Sequence, residues 1–187
     1  MDWTAEAVAT LANPGDGFTC DKLESNRPAA IAAIKRRDYV AVWLAVRAPV
    51  GYDAATVLLM PLDSGGWSSP TLQMCDEWES LPVLRPAIEW DEYGPVWWET
   101  CQWWGPHEAH VVHHNDHDHH VGPLPNPVLV VGGVAAQQVQ TVVLRLDDTE
   151  VTLPVDPATG VYFGAFATEC NDPTSWLVME SGDRIYL

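Results

Sequence analysis

The spacing of apolar residues changes along the chain, and the first pattern is helical. Over residues 3 to 12, the apolar residues Trp3, Ala7, Val8 and Leu11 recur at helical spacing. An Asn-Pro-Gly run follows and would end the helix. Because a helix this short is marginal in water, the pattern predicts a helix that packs against the rest of the protein.

A second helix is predicted over about residues 26 to 37. Ser25 or Asn26 would cap its N-terminus, and Pro28 would lie in its first turn, where a missing N–H costs nothing. Three basic residues, Lys35, Arg36 and Arg37, would lie at its C-terminal end and complement the helix dipole.

Strand-like patterns begin at Tyr39. The run YVAVWLAVRA is almost entirely apolar and rich in valine, which is typical of a strand covered on both faces. A second strand is predicted from Ala54, with the sequence AATVLLM, and a third begins near Trp67. Together these segments predict a β-meander.

The remainder of the chain divides at residues 122 to 127, which read GPLPNP and predict a stiff connector. Before it, residues 76 to 99 show no regular period. Beyond it, short apolar strands alternate with turn residues, as expected of a small antiparallel β-sandwich. The expected fold is therefore mainly β with short N-terminal helices. Its two expected units are residues 1 to 121 and residues 123 to 187.

The formal net charge of −17 lies after residue 47. Residues 1 to 47 hold six acids and six bases, whereas residues 48 to 187 hold twenty acids and three bases. A surface this anionic repels nucleic-acid phosphate and anionic lipid, which argues against both as direct partners. It attracts metal ions and basic proteins instead.

The expected location is the cytoplasm. The N-terminal residues carry no basic region followed by an apolar run, so no signal peptide is predicted. The four cysteines of the 187 residues include no CxxC pair and are too sparse for a disulfide scaffold.

The most unusual stretch of the sequence is the segment from residue 97 to 120, because it contains all seven histidines. Imidazole and carboxylate groups at this density favour Zn(II), with Ni(II) and Cu(II) as alternatives. The sequence therefore predicts a non-catalytic protein that coordinates a divalent transition metal. The candidate ligands are His107, His110, His113, His114, His117, His119 and His120 with Asp116 and Asp118.

Two other interpretations of the histidine tract remain open. It matches no standard zinc-finger spacing, so it is also consistent with a solvated loop that binds metal only adventitiously. The anionic surroundings also favour imidazolium, so the tract is consistent with a pH sensor, although cytoplasmic pH rarely falls far enough for that role.

An enzyme is not expected. The run HNDHDH from His114 to His119 departs from the HxHxDH ligand run of the metallo-β-lactamase fold at Asp116, and no histidine lies outside residues 107 to 120. The GxSxG nucleophile elbow and the Gly-rich phosphate loops are also missing from the sequence.

A tryptophan- and acid-rich segment, residues 76 to 104, supports an alternative function. Tryptophan is a frequent interface anchor, and the surrounding acids would select a basic partner. The alternative is an acidic interaction module, either an inhibitor or immunity protein or a subunit of a larger assembly. Its candidate partner-binding residues are Trp78, Trp90, Trp97, Trp98, Trp103 and Trp104.

Overall fold

The computed structural model describes residues 2–12, 28–47, 49, 52–62, 65–68, 74–78, 96–104, 127–170 and 173–186. Within these ranges the chain forms one short α-helix and twelve strands, so the expected mainly-β class is confirmed. In chain order the elements are α1 (Trp3–Ala12), β1 (Ala29–Lys35), β2 (Val40–Arg47), β3 (Tyr52–Pro61), β4 (Trp67–Ser68), β5 (Met74–Trp78), β6 (Val96–Trp104), β7 (Val128–Ala135), β8 (Val139–Leu146), β9 (Thr149–Pro154), β10 (Val161–Ala167), β11 (Thr174–Met179) and β12 (Arg184–Tyr186).

The strands form three antiparallel sheets. The first sheet has the order β1-β2-β3, and β4 and β5 both pair with the far side of β3. The second sheet has the order β10-β7-β6, and the third has the order β12-β11-β8-β9. The predicted meander corresponds to β2, β3 and β4, and the five or six short strands expected after residue 127 are present as six, β7 to β12.

The sheets pack face to face in layers, with the second sheet in the middle. One face of the first sheet contacts α1 through Trp3 and Ala7, and its other face packs on β7 and β10 of the second sheet. The opposite face of β7 and β10 packs on the third sheet. Every residue of β7 is buried, as is all of β2 except Arg47, because both strands are covered on two faces. The continuous apolar run of β2 predicted this burial.

An aromatic stack joins the first and second sheets. The rings of Trp43 and Phe163 lie 6.0 Å apart between centroids, with an interplanar angle of 16°. Phe163 lies directly opposite Gly132 in the β10-β7 ladder. A Cβ at Gly132 would approach Cδ2 of Phe163 to 2.5 Å, so glycine is required for the ring to lie across this strand.

The N-terminal helix was predicted correctly. Asp2 caps it, since the backbone N–H of Ala5 donates to Oδ1 of Asp2 over 3.1 Å. Trp3 and Ala7 are buried against the first sheet, and Val8 and Leu11 pack around them. The tertiary packing required by so short a helix is therefore present.

The second helix, predicted over residues 26 to 37, is wrong. Residues 29 to 35 form β1, whose backbone pairs with β2 from Ala29↔Ala45 to Lys35↔Val40. The ladder provides hydrogen-bond partners for the backbone, and Ile31 is buried in the same core cluster as Trp43. Tertiary pairing thus overrides the alanine-rich local preference for helix. The three basic residues consequently lie at the end of a strand and in the turn after it, where no helix dipole acts on them.

The expected boundary near residue 122 is crossed by a ladder. β6, before the connector, pairs with β7, after it, from Val96↔Ala135 to Trp104↔Val128, so the two sides of the connector contribute to one sheet. The cluster between the second and third sheets contains residues from 129 to 185 only, whereas two other clusters combine residues of the first sheet with residues of β7 and β10. Independent folding of residues 123 to 187 stays a prediction.

Candidate functional site

The histidine-rich segment joins two strand ends that are neighbours in a ladder. Trp104, the last residue of β6, pairs with Val128, the first residue of β7. Residues 105 to 127 therefore connect adjacent positions of the second sheet, and all seven histidines fall between them. The Cα atoms of two such paired residues are about 5 Å apart. We call residues 105 to 127 the histidine connection.

The nine candidate metal ligands lie outside the residues that the structure describes, as does Trp90. In the described part of the chain, no group of three or more His, Cys, Asp and Glu residues is placed to hold a metal ion. The structure describes the two residues that flank the histidine connection, Trp104 and Val128, and the ligand set stays a prediction from the sequence.

A cleft of about 390 Å³ lies beside the C-terminal end of the histidine connection. Pro127 and Val128 form one side, and two acidic residues, Asp38 and Glu169, also line it. Both acidic residues are exposed, and Oδ1 of Asp38 lies 3.9 Å from Nε of Arg37.

Tyr39 lines the same cleft, and its side chain is buried. Burial raises the pKa of the Tyr39 hydroxyl. The positive charge of Arg36 and its hydrogen bond with Tyr39 act in the opposite direction, and the negative charge of Asp38 raises the pKa further.

A second, wider groove of about 720 Å³ adjoins Tyr39. Arg36 and Arg37 contribute to it from the turn after β1, and Asp147 and Asp148 contribute from the turn between β8 and β9. The two turns place opposite charges around one groove. Asp147 adopts a left-handed backbone conformation, with φ of 53°, which aspartate tolerates better than most residues.

The tryptophan- and acid-rich segment contributes two strands to two different sheets. Trp78 ends β5, which pairs with β3 in the first sheet. Four others lie in β6: Trp97, Trp98, Trp103 and Trp104. In the described part of the chain, β6 pairs with β7 alone and is the edge of the second sheet. Trp78 therefore belongs to the first sheet, whereas the other four tryptophans belong to the second sheet.

A further candidate site, which the sequence did not predict, lies on the third sheet. The guanidinium carbons of Arg145 and Arg184 lie 5.4 Å and 5.5 Å from the centre of the Trp176 ring, within the range of cation–π attraction. Tyr186 lies beside the same ring at 6.0 Å between centroids. The alternation within β11 could have indicated this site, because Trp176 and Leu177 must face opposite sides of the sheet, so only one of them can face the core.

Comparison of the chain with protein-family models, with curated proteins and with solved structures finds no match. Among the residues that the structure describes, no helix is long and apolar enough to cross a membrane.

Proposed function

We propose that this protein is a non-catalytic, acidic binding protein that coordinates a divalent transition metal through the histidine connection. Zinc is the first candidate, and nickel and copper are alternatives. The observation that supports the proposal most is the pairing of Trp104 with Val128, because it brings together the two ends of the segment that holds every histidine of the chain. The cytoplasmic location inferred from the sequence is part of the proposal.

Closure of the connection favours chelation for an entropic reason. A metal that gathers ligands from an open chain must restrict the whole segment, at a cost that grows with the logarithm of its length. Here the β6-β7 ladder has already joined the two ends. The metal then restricts only the residues between the strands, so less conformational entropy opposes binding.

The charge of the molecule also favours binding of a divalent metal ion. The twenty acids and three bases after residue 47 give this part of the molecule a strongly negative field. Glu169 places part of that charge in the cleft beside Pro127. The field raises the local concentration of divalent cations and supports their capture by neutral imidazole nitrogens.

The proposal is tested by thermal unfolding with and without Zn(II), Ni(II) or Cu(II) at neutral pH. A ligand that binds only the folded state adds about 2.7 kcal/mol at a hundredfold excess over Kd, so Tm should rise. The test variant replaces all seven histidines by serine and should lose the shift. An unchanged Tm of the natural chain with every metal would favour the solvated-loop interpretation.

A matched control separates ligation from charge. Asp147→Asn with Asp148→Asn removes two negative charges from the β8-β9 turn, outside the connection. Asp116→Asn with Asp118→Asn removes the same charge within it. If carboxylate ligands matter, the second pair should reduce the metal-induced shift more than the first. Equal effects would indicate attraction by the general field alone.

The alternative function is an acidic interaction module that binds a basic protein, and the position of β6 favours it. Four tryptophans in a strand that is at the edge of its sheet among the described residues suit a partner interface. Trp97→Ala or Trp98→Ala should then speed dissociation of such a partner while leaving the fold intact. Unfolding of both variants, with no separate effect on binding, would show that these side chains belong to the core.

A further inference from the structure

We infer that the groove between the β1-β2 turn and the β8-β9 turn is a second ligand site, which takes a short peptide with a free amino terminus and a free carboxyl terminus. The groove has a volume of about 720 Å³, within the range typical of small-molecule sites. The two turns belong to the first and third sheets, and β10 of the second sheet also lines the groove. The inference does not depend on metal binding by the histidine connection.

The β1-β2 turn supplies the positive charge of the groove. Arg36 and Arg37 are both exposed there, and the Arg36 side chain is hydrogen-bonded to Tyr39. Asp38 lines the groove as well, but its Oδ1 lies 3.9 Å from Nε of Arg37, beyond hydrogen-bond distance, and both side chains are largely exposed. Such surface pairs are weak, so a ligand carboxylate that forms two short hydrogen bonds with one guanidinium can replace this contact.

The β8-β9 turn supplies negative charge. Leu146 pairs with Thr149 at the end of the ladder, so Asp147 and Asp148 form a two-residue hairpin turn. Both are exposed and line the groove, and within the described ranges neither carboxylate forms an ion pair. Because the ladder holds so short a turn in place, the two carboxylates can accept hydrogen bonds from a ligand ammonium group with little further ordering of the chain.

The groove also has accessible apolar lining. Val151 and Phe166 are half-buried, and Ala167 is exposed. An apolar side chain of a ligand would remove part of this surface from water, which favours binding. The lining therefore matches a ligand with an apolar middle and charged ends.

A ligand with charges of both signs fits this groove better than an anion or a cation does. The field of a chain with a net charge of −17 repels an anion, and the two arginines repel a cation that extends along the groove. A zwitterion carries no net charge, so the overall field has little effect on it. Each of its ends meets an opposite charge in the groove.

The size of the groove favours a peptide over a free amino acid. A cube of 720 Å³ has an edge of about 9 Å, and an extended chain of three residues is about 10 Å long. The ammonium and carboxylate groups of one amino acid are only roughly 3 Å apart, too close to reach both turns. We therefore expect a tripeptide with an apolar central residue to bind, with a Kd on the order of 100 µM.

NMR titration of the full chain with the peptide Ala-Leu-Ala tests the inference, with a chelator present so that no metal contributes. The backbone signals of Arg37, Asp148 and Ala167 should shift and saturate. Acetylation of the amino terminus or amidation of the carboxyl terminus should each weaken binding about tenfold, because each modification removes one charged end.

Protein variants assign each end of the peptide to one turn. Asp147→Asn with Asp148→Asn should weaken binding of the free peptide about tenfold and leave the affinity for the acetylated peptide nearly unchanged, because that peptide has no ammonium group. Arg36→Gln with Arg37→Gln should act in the same way on the free and amidated peptides. Glutamine keeps a side-chain donor for the hydrogen bond with Tyr39.

Glu180→Gln with Asp183→Asn is the matched control, since it removes two negative charges from exposed residues of the β11-β12 turn, outside the groove. It should change the affinity less than about twofold. The inference is overturned if Ala-Leu-Ala causes no saturable shifts in the groove, if a modified peptide binds as tightly as the free one, or if the control acts as strongly as the Asp147 and Asp148 pair. If a variant unfolds, the three peptides on the natural chain decide the question.

Discussion

The close approach of Phe163 to Gly132 predicts a specific energetic coupling. Gly132→Ala would place a methyl group 2.5 Å from the Phe163 ring, far inside van der Waals contact. The ring must then move, and its stack on Trp43 weakens. Overpacking of this kind costs about 1 to 3 kcal/mol. Loss of an aromatic stack contributes about 0.5 to 1.5 kcal/mol within that range.

A double-mutant cycle isolates this collision. In a Phe163→Ala background the ring is gone, so Gly132→Ala should cost less than about 0.5 kcal/mol, or even stabilise the chain by reducing the entropy of the unfolded state. The free energy of unfolding is measured by urea denaturation, with constant m-values as a check on two-state behaviour.

Phe166→Ala supplies the control background. This ring approaches Gly164 rather than Gly132, so its removal should leave the cost of Gly132→Ala unchanged. Equal costs of Gly132→Ala in the natural, Phe163→Ala and Phe166→Ala backgrounds would refute the reasoning. The close approach would then play no part in the stability of the second sheet.

Three further predictions concern other parts of the chain. Asp2→Ala should lower the free energy of unfolding by about 1 kcal/mol, measured by urea denaturation, because it removes the cap of α1. Burial raises the pKa of Tyr39 in the folded state, so the protonated hydroxyl binds its proton more tightly there than in the unfolded chain. The resulting contribution to the free energy of unfolding is complete below about pH 10 and is lost as pH rises through the folded-state pKa. A pH series of unfolding curves should show that loss, and Tyr39→Phe should reduce it. Residues 123 to 187 should form a marginally stable fold by NMR, and residues 96 to 187 a more stable one, because the longer fragment keeps β6 against β7.

The sequence predicted best those elements whose burial determines their pattern. The run of β2 is almost wholly apolar because α1 covers one face and the second sheet covers the other. A continuous apolar run is the pattern of a strand with two buried faces. The short strands after residue 127 were equally clear, because turn residues separate them.

Local patterns failed where distant partners decide the structure. Residues 29 to 35 carry alanines that favour a helix, yet a ladder with β2 holds them in a strand. The strands β5 and β6 lie in a region without a clear apolar period. β5 pairs with β3 rather than with the intervening β4, and β6 pairs with β7 across the whole of the histidine connection. Such pairings depend on the assembled sheets, so no local window of sequence contains them.

The candidate sites also differ in how much of each could be predicted from the sequence. The histidine connection was visible from composition alone, whereas the proximity of its two ends required the pairing of Trp104 with Val128. For the cluster around Trp176, alternation indicates only which side of the sheet the indole faces, whereas its contacts with Arg145 and Arg184 depend on the pairing of β11 with β8 and β12.

Calorimetric titration of Zn(II) into the full chain tests the proposed function most directly, with the seven-histidine-to-serine variant as the comparison. The proposal predicts saturable binding with a defined stoichiometry for the natural chain and its loss in the folded variant. Imidazole must be neutral to bind a metal, so affinity should also fall as pH drops below about 6.5. Absence of binding by the natural chain, or equal binding by both chains, would contradict the proposal that the histidine connection is a metal site.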